Sequence, residues 1–405
     1  MRVFLAFGLS VLAGCAGTPS SIKPAALAEP QTQAMPLALT LPGYPQTPEA
    51  RPTTSAENVL AHLNGRIEAA TGSDARAEVA RSGALYQRYQ ILGDLADLDE
   101  AYRLAKIHAA ATDARAETLL LWALIASHQH QFDAAIQALD RLAPGEQRLS
   151  ADIREDIARA RSMRPIPTLL AELKLGREFA TLRDQAANCI DQGDLNCATE
   201  HFHRAQFFYT DSAPLPLAWL HTQQGIALLR FGHPDWAIRF FRAALVRMPD
   251  YYLAAEHLGE CLGLTQSFDE GRSVYERVIA QTGNPEYVAG LASLERAAGN
   301  SARADTLMLE AKAGFAQRLE LFPDAYALHA VDFYLEINDL ATANQLAKRN
   351  LELRQDASAW LLQAEVDLAS GRADAACSSL KTVQAAGYRP PEWEDLRLRL
   401  PRCKI

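Results

Sequence analysis

Between Ala218 and Pro285 the pattern of small and apolar positions occurs twice, at an offset of 34 residues. Gly225 recurs as Gly259, Ala237 as Gly271, Phe241 as Tyr275 and Ala244 as Val278. A small residue, a second small one twelve positions on, a large apolar one four further and another apolar or small one three beyond that is what a helix-turn-helix needs. The small residues let two helices touch, and the large ones fill the groove to the next unit. Pro249 and Pro285 close the second helix, because proline cannot continue it and disfavours helix in the residue before it. The same order appears at Ala123, Ala135, Leu139 and Leu142, and at Ala186, Ala198, Phe202 and Ala205. It returns at Ala364, Ala376, Leu380 and Val383, with Trp360 four residues before the first small position. Gly193, Gly232 and Gly371 fall at one place in three units, the turn between helices, where a left-handed residue carries no penalty for glycine.

From Glu286 to Asp356 the spacing drifts by a residue or so, although Ala292, Gly299, Leu309, Pro323, Ala330, Phe333 and Asn338 still mark helix pairs. Ser55 and Asn58 offer caps before Val59, Leu60, Leu63 and Ile67 at helical spacing, and further helices are predicted over Val79 to Ile91 and Leu98 to Ala109. Arg148 to Arg164 reads as another helix, stopped by Pro165 and Pro167, the best candidate for a hinge. Pro390 to Leu400 reads as a closing helix.

A repeat of 34 residues built on these positions resembles the tetratricopeptide repeat (TPR) family. The resemblance implies an all-α fold, a right-handed superhelical solenoid of TPR-like helix pairs with a C-terminal capping helix. It covers about two thirds of the chain well and the rest loosely, with residues 166–405 expected as the TPR-like array and its C-terminal cap. Residues 55–165 read as an N-terminal helical region of degenerate TPR-like repeats.

The N-terminus differs in kind. Arg2 precedes a short apolar run from Val3 to Leu12, too short to span a bilayer and of signal-sequence length. Leu12-Ala13-Gly14-Cys15 follows at once and resembles the lipobox of bacterial lipoproteins. The resemblance implies that residues 1–14 are removed as a signal peptide and that Cys15 carries the lipid, palmitate included. With Ala16 after the cysteine, the family's sorting rule places the protein at the outer membrane, on its periplasmic side. Residues 15–54 carry a proline every few positions. Semi-extended at about 3.1 Å per residue, such a tether reaches on the order of 100 Å.

Composition narrows the function classes. The chain of 405 residues is 49% apolar, and its formal charge is −9. It offers no basic face to track phosphate, so no nucleic acid is expected. Nucleotide-binding, lipase-type and zinc-protease motifs are all lacking, no cofactor is expected, and no enzyme is predicted. Ser20 and Lys23 match S-x-x-K by letter only, inside the tether. His128 with His130, and His201 with His203, have a spacing of two that points the rings to different faces, so no metal is expected there. Glu256 and Glu260 share a helix face but read as a solvated pair without a histidine at ligand spacing.

Five cysteines remain beyond Cys15. Cys189 and Cys197 flank the turn at Gly193, where antiparallel helices can bring them into bonding range in an oxidising compartment. A loop this small contributes roughly 2.5 kcal/mol in the chain-entropy model. Cys377 with Cys403 would pin the closing helix to the last repeat, and Cys261 reads as a buried free thiol.

On the first helix of the Gly225 unit, His221, Gly225 and Leu228 face the partner helix, which leaves Trp219, Thr222, Ile226 and Arg230 on another face. In TPR arrays that face lines the concave groove. The matching face of the next unit carries Leu253, Glu256, Glu260 and Leu264, and the preceding unit adds Arg183. An apolar patch beside charge is what a protein-binding site looks like. The alternative is that the Pro214-Leu215-Pro216 segment covers Trp219. The resemblances together imply a membrane-anchored periplasmic scaffold or assembly adaptor for an envelope complex in secretion, pilus, polysaccharide-export or cell-wall machinery. A solenoid that binds cell-wall or exopolysaccharide glycan directly is the second reading, and an enzyme of unrecognised chemistry the third.

Overall fold

A computed structural model of the chain describes residues 53–70, 74–166 and 178–405. Cys15, the apolar run before it and nearly all of the tether lie outside the described residues. The described chain is helical, with no strand among the described residues. None of its helices is long and apolar enough to cross a membrane.

Six successive helix pairs form the larger part. They are preceded by the N-terminal helices α1 (Ala56–Ala69), α2 (Ala75–Leu92), α3 (Leu95–Ala109), α4 (Ala116–His128), α5 (Phe132–Asp140) and α6 (Ala151–Arg161). The six pairs are then α7 (Phe179–Asp191) with α8 (Leu195–Phe208), α9 (Pro214–Arg230) with α10 (Pro234–Arg247), and α11 (Tyr252–Leu264) with α12 (Phe268–Thr282). They continue as α13 (Pro285–Ala297) with α14 (Ser301–Leu321), α15 (Pro323–Glu336) with α16 (Leu340–Leu353), and α17 (Ala357–Ala369) with α18 (Ala373–Ala385). The last helix, α19 (Pro391–Arg399), caps the end. The molecule is an all-α solenoid of TPR-like helix pairs.

Local chemistry sets where these helices start and stop. The Ser55, Asp74, Asp94, Asp194, Asp339 and Asp356 side chains each accept a backbone N–H of their helix's first turn, satisfying donors that have no partner within the helix. Prolines stand at the start of α9, α10, α13, α15 and α19, where their missing N–H loses nothing.

The repeat spacing does not drift between Glu286 and Asp356. Counted from Ala123, Ala186, Gly225, Gly259, Ala292, Val331 and Ala364, the turn residue always falls seven positions on, and its φ is positive each time. Those residues are His130, Gly193, Gly232, Gln266, Gly299, Asn338 and Gly371. The small residue twelve positions on is present throughout, as Ala304 and Ala343 in the two units that looked irregular, both fully buried. Two features hide the register: α14 has 21 residues, which lengthens the step to the next unit, and Val331 occupies the small slot beside Ala330.

The N-terminal helices lie along the array, touching it at the loops between successive units. Thr54 N–H donates to Ser212 O at 2.8 Å, and Ala56 and Leu63 of α1 share a core cluster with Ala218, Ala244, Met248 and Ala254. Next along, Gln281 donates to Leu92 O at 2.6 Å, and the Tyr89 and Tyr252 rings sit 6.1 Å apart. Arg318 grips Asp99 with two hydrogen bonds of 2.7 and 2.8 Å, and Tyr102 meets Phe322 edge-on. Farther on, Gln355 N–H donates to Ala160 O and Ile166 N–H to Ala386 O, both at 2.8 Å. The Tyr388 hydroxyl donates to Arg164 O at 2.9 Å. The stretch leading to Pro167, expected as a hinge, is therefore pinned to the last repeat, with Ile166 buried there.

The two ends of the array also meet. Arg389 N–H donates to Asp191 O at 2.7 Å, and Arg230 of α9 forms two hydrogen bonds with Glu392 of α19, at 2.6 and 2.9 Å. The cap helix thus closes on the first and second pairs of the array as well as on the last.

Candidate interaction surface

The face expected to bind a partner is largely spent on the chain's own packing. Thr222 is fully buried and its hydroxyl donates to Ala218 O at 2.9 Å. Ile226 is 8% exposed and lies in the cluster of Leu229, Ala255 and Leu258. Trp219 is half-buried between two clusters, one made with Leu182, Ala186 and Leu220, the other with Ala56 and Leu63 of α1. Trp219 and Ile226 therefore form no solvent-facing apolar patch. The reason is that α1 docks onto α9 on the Trp219 side, while α11 takes Ile226. Pro214 to Pro216 do not cover the tryptophan as a separate segment, since they are the first turn of its own helix.

The charged members of the face are paired. The Arg183 guanidinium lies 5.9 Å over the Trp219 ring and 2.7 Å from Asp184. Arg230 is committed to Glu392, with both side chains about 20% exposed. Leu253 and Leu264 are half-buried against the clusters beside them.

Glu256 and Glu260 are not a solvated pair. Their side chains are 14% and 12% exposed, and His257 Nδ1 sits between them, 3.1 Å from Glu256 and 3.2 Å from Glu260. On the neighbouring pairs, Glu286 of α13 meets His329 of α15 at 3.2 Å. Three carboxylates and two imidazoles so share one half-buried pocket of charge. Burial alone would lower the His257 pKa, but Glu256 and then Glu260 overcome it and hold the ring protonated, with a pKa pushed up to about 9. Burial raises Glu256, and the carboxylates of Glu260 and Glu286 add to the rise against the pull of His257. Burial likewise opposes the fall at Glu286, where His329 prevails and holds the carboxyl below its ordinary value. Sequence reasoning passes over this group because Glu286 and His329 join it only through the stacking of three successive units. The signal for His257 was present, as a residue adjacent to Glu256.

A concave site does exist where the array closes. Arg230, Arg389, Trp393, Glu394, Arg397 and Ile405 are among the residues that line a pocket of about 610 Å³. Of its three arginines, Arg230 is paired with Glu392 and Arg397 with Glu394, and Arg389 adds a third cation. Arg389 stacks 5.8 Å over Trp393, whose Nε1–H donates to Leu380 O at 3.1 Å. The Arg389 backbone approaches Gly193 so closely that a Cβ there would stand 2.6 Å from its carbonyl oxygen.

No family model matches the chain, and no curated protein matches it. Among solved structures, it is similar to a thermophilic TPR protein from Thermus thermophilus, at 19% identity over 46% of this chain and 98% of that one, with a TM-score of 0.36. It is also similar to the APC/C hetero-tetramer Cut9–Hcn1, at 16% identity over 81% of this chain and 64% of that one, with a TM-score of 0.43. The pilF protein of Pseudomonas aeruginosa matches at 16% identity over 55% of this chain and 97% of its own, with a TM-score of 0.30. Likenesses this distant carry no argument about what this chain binds, and the fold rests on the helix pairs themselves.

The cysteines complete the picture. Cys189 and Cys197 are bonded to each other with Cα atoms 5.6 Å apart, and Cys377 is bonded to Cys403 at 5.5 Å. Cys261 is free and fully buried. The second bond ties the segment after α19 back to α18.

Proposed function

We propose that this protein is a scaffold of the bacterial envelope, anchored to the outer membrane by a lipid on Cys15 and holding a protein partner in the periplasm. The observation that carries the reading is the paired-helix solenoid itself, an architecture that typically serves protein interaction and not catalysis. Two cystines favour an oxidising compartment such as the periplasm. Because Thr222 and Ile226 are buried, the partner contact moves from the groove face to the pocket at the closure, where Arg389, stacked on Trp393, meets an acidic segment of the partner. The partner belongs to secretion, pilus, polysaccharide-export or cell-wall machinery.

Two experiments separate this reading from direct glycan binding. The protein carrying a C-terminal tag is used to capture partners from detergent-solubilised membranes, and in parallel is sedimented with purified cell-wall sacculi. Capture of a defined protein that falls at least tenfold in Arg389→Ala, with no sedimentation, supports the scaffold. Sedimentation with sacculi and no captured protein supports the glycan reading. For the anchor, Cys15→Ser is expected to move the protein from the membrane fraction to the soluble periplasm. Wild-type protein recovered from the cytosol with Met1 retained would overturn the location.

A further inference from the structure

The turn of the first repeat carries more than a disulfide. Cys197 and His201 are four residues apart on α8, so they share one helix face. Cys189 stands across the turn near the end of α7, with its Cα 5.6 Å from that of Cys197. The two sulfurs and one ring nitrogen of His201 all lie within 4.8 Å of one another. Nδ1 of His201 is buried and has no hydrogen-bond partner among the described residues. An imidazole nitrogen left this way in a half-buried position asks for a ligand.

We propose that Cys189, Cys197 and His201 form a zinc site that reduction of the disulfide unmasks. Two thiolates and an imidazole are the donors zinc prefers, and three protein ligands leave its fourth position open to water or to a ligand from outside. In a tetrahedral site with Zn–S near 2.3 Å, two sulfurs stand about 3.7 Å apart. With the Cα atoms 5.6 Å apart, side-chain rotation is the movement that would open the sulfurs to that separation. The first turn of α8, where Cys197 lies, also favours a thiolate through the helix dipole. Cys197 and His201 are each partly exposed. The chemistry balances with a phosphine as reductant. One phosphine and one water convert the disulfide to two thiols and a phosphine oxide, and Zn²⁺ then displaces the two thiol protons into solvent. No third donor of this kind accompanies Cys377 and Cys403 among the described residues, so that pair serves as the internal comparison.

The test uses the full chain before and after reduction with a phosphine, which is then removed under anaerobic conditions. Zinc binding is measured by titration calorimetry and bound metal by elemental analysis, with Co²⁺ absorption reporting a tetrahedral thiolate site. The expected result is no zinc on the oxidised chain and one ion per chain after reduction. His201→Ala is expected to weaken binding at least about tenfold, and Cys189→Ser/Cys197→Ser to abolish it. His203→Ala, two residues along, and Cys377→Ser/Cys403→Ser are expected to bind as wild type does. Circular dichroism of each variant confirms that the helices persist, and Co²⁺ spectra of wild type alone decide the matter if a variant fails to fold. Reduced wild-type chain that takes up no zinc overturns the inference. So does zinc bound equally well without His201, or bound equally by the oxidised chain.

Discussion

Single side chains decide whether two helices of a unit can meet. A Cβ built on Gly225 would stand 2.6 Å from the Phe241 ring, and one on Gly259 2.9 Å from Tyr275, whereas Gly65 in α1 has nothing within 4 Å. Gly225→Ala is therefore expected to destabilise the protein by about 1–3 kcal/mol, through a ring forced out of place. Gly65→Ala is expected to stabilise it by about 0.5–1 kcal/mol, because helix entropy acts there without a clash. Chemical denaturation of both checks the contrast, and equal effects would remove the packing account. The buried histidines make stability depend on pH in two opposite senses. His257 has its folded pKa raised to about 9, so its contribution is complete below about 6.5, its unfolded value, and is lost as pH climbs to 9. Burial first, and then Arg247, lowers His221 to about 3, while burial and then His329 lower His128 to about 4. These rings favour the folded chain above about 6.5 and withdraw that support as pH falls. The melting temperature is expected to peak between the two limbs, and the His257 ring to keep its proton beyond pH 8 by NMR. A His257 that titrates near 6.5 would sink this assignment.

At the scale of elements, the sequence carried the helix pairs well, because their spacing is written in residues whose size matters. Gly193, Gly232 and Gly371 marked three turns correctly and Asn338 marked another, yet His130 and Gln266 hold the same left-handed conformation with no letter to announce it. Their strain is carried by packing around the turn, and packing is invisible to a local pattern. The candidate site was far less legible. Trp219 and Ile226 fall on the expected face, but a repeat read by itself does not show that α1 and α11 cover them. Nor does spacing reveal that α19, an ordinary amphipathic segment, reaches back 162 residues to Arg230. That contact tests directly. Arg230→Glu is expected to free the closure, seen as faster proteolysis between α18 and α19, and Arg230→Glu with Glu392→Arg to restore protection. If the double exchange digests as fast as the single one, the ion pair is not what holds α19.

For the whole molecule, the question is whether the array behaves as a stack of neighbours or as one body. An open solenoid has only nearest-neighbour interfaces, so its units can unfold piecemeal. Here contacts of very long sequence separation bind the helices together: Asp99 to Arg318, Leu92 to Gln281, Arg164 to Tyr388 and Asp191 to Arg389. Each joins an N-terminal or early element to a late one, so no single unit can open without breaking contacts far along the chain. Unfolding in urea is accordingly expected to be one transition, with tryptophan fluorescence coinciding with helix signal, since Trp122 reports the N-terminal helices and Trp393 the cap. Arg318 decides how far this coupling depends on charge, because it is 6% exposed, grips Asp99 and lies 4.9 Å from the Phe322 ring. Arg318→Ala removes the grip while leaving Asp99 37% exposed and free to hydrate, so the loss is of docking and not of a stranded charge. The variant is expected to separate the two signals, the N-terminal helices melting at lower urea than the array. A wild type that already unfolds in two steps, or an Arg318→Ala chain that still unfolds in one, would mean that the N-terminal helices and the array are not joined through this contact.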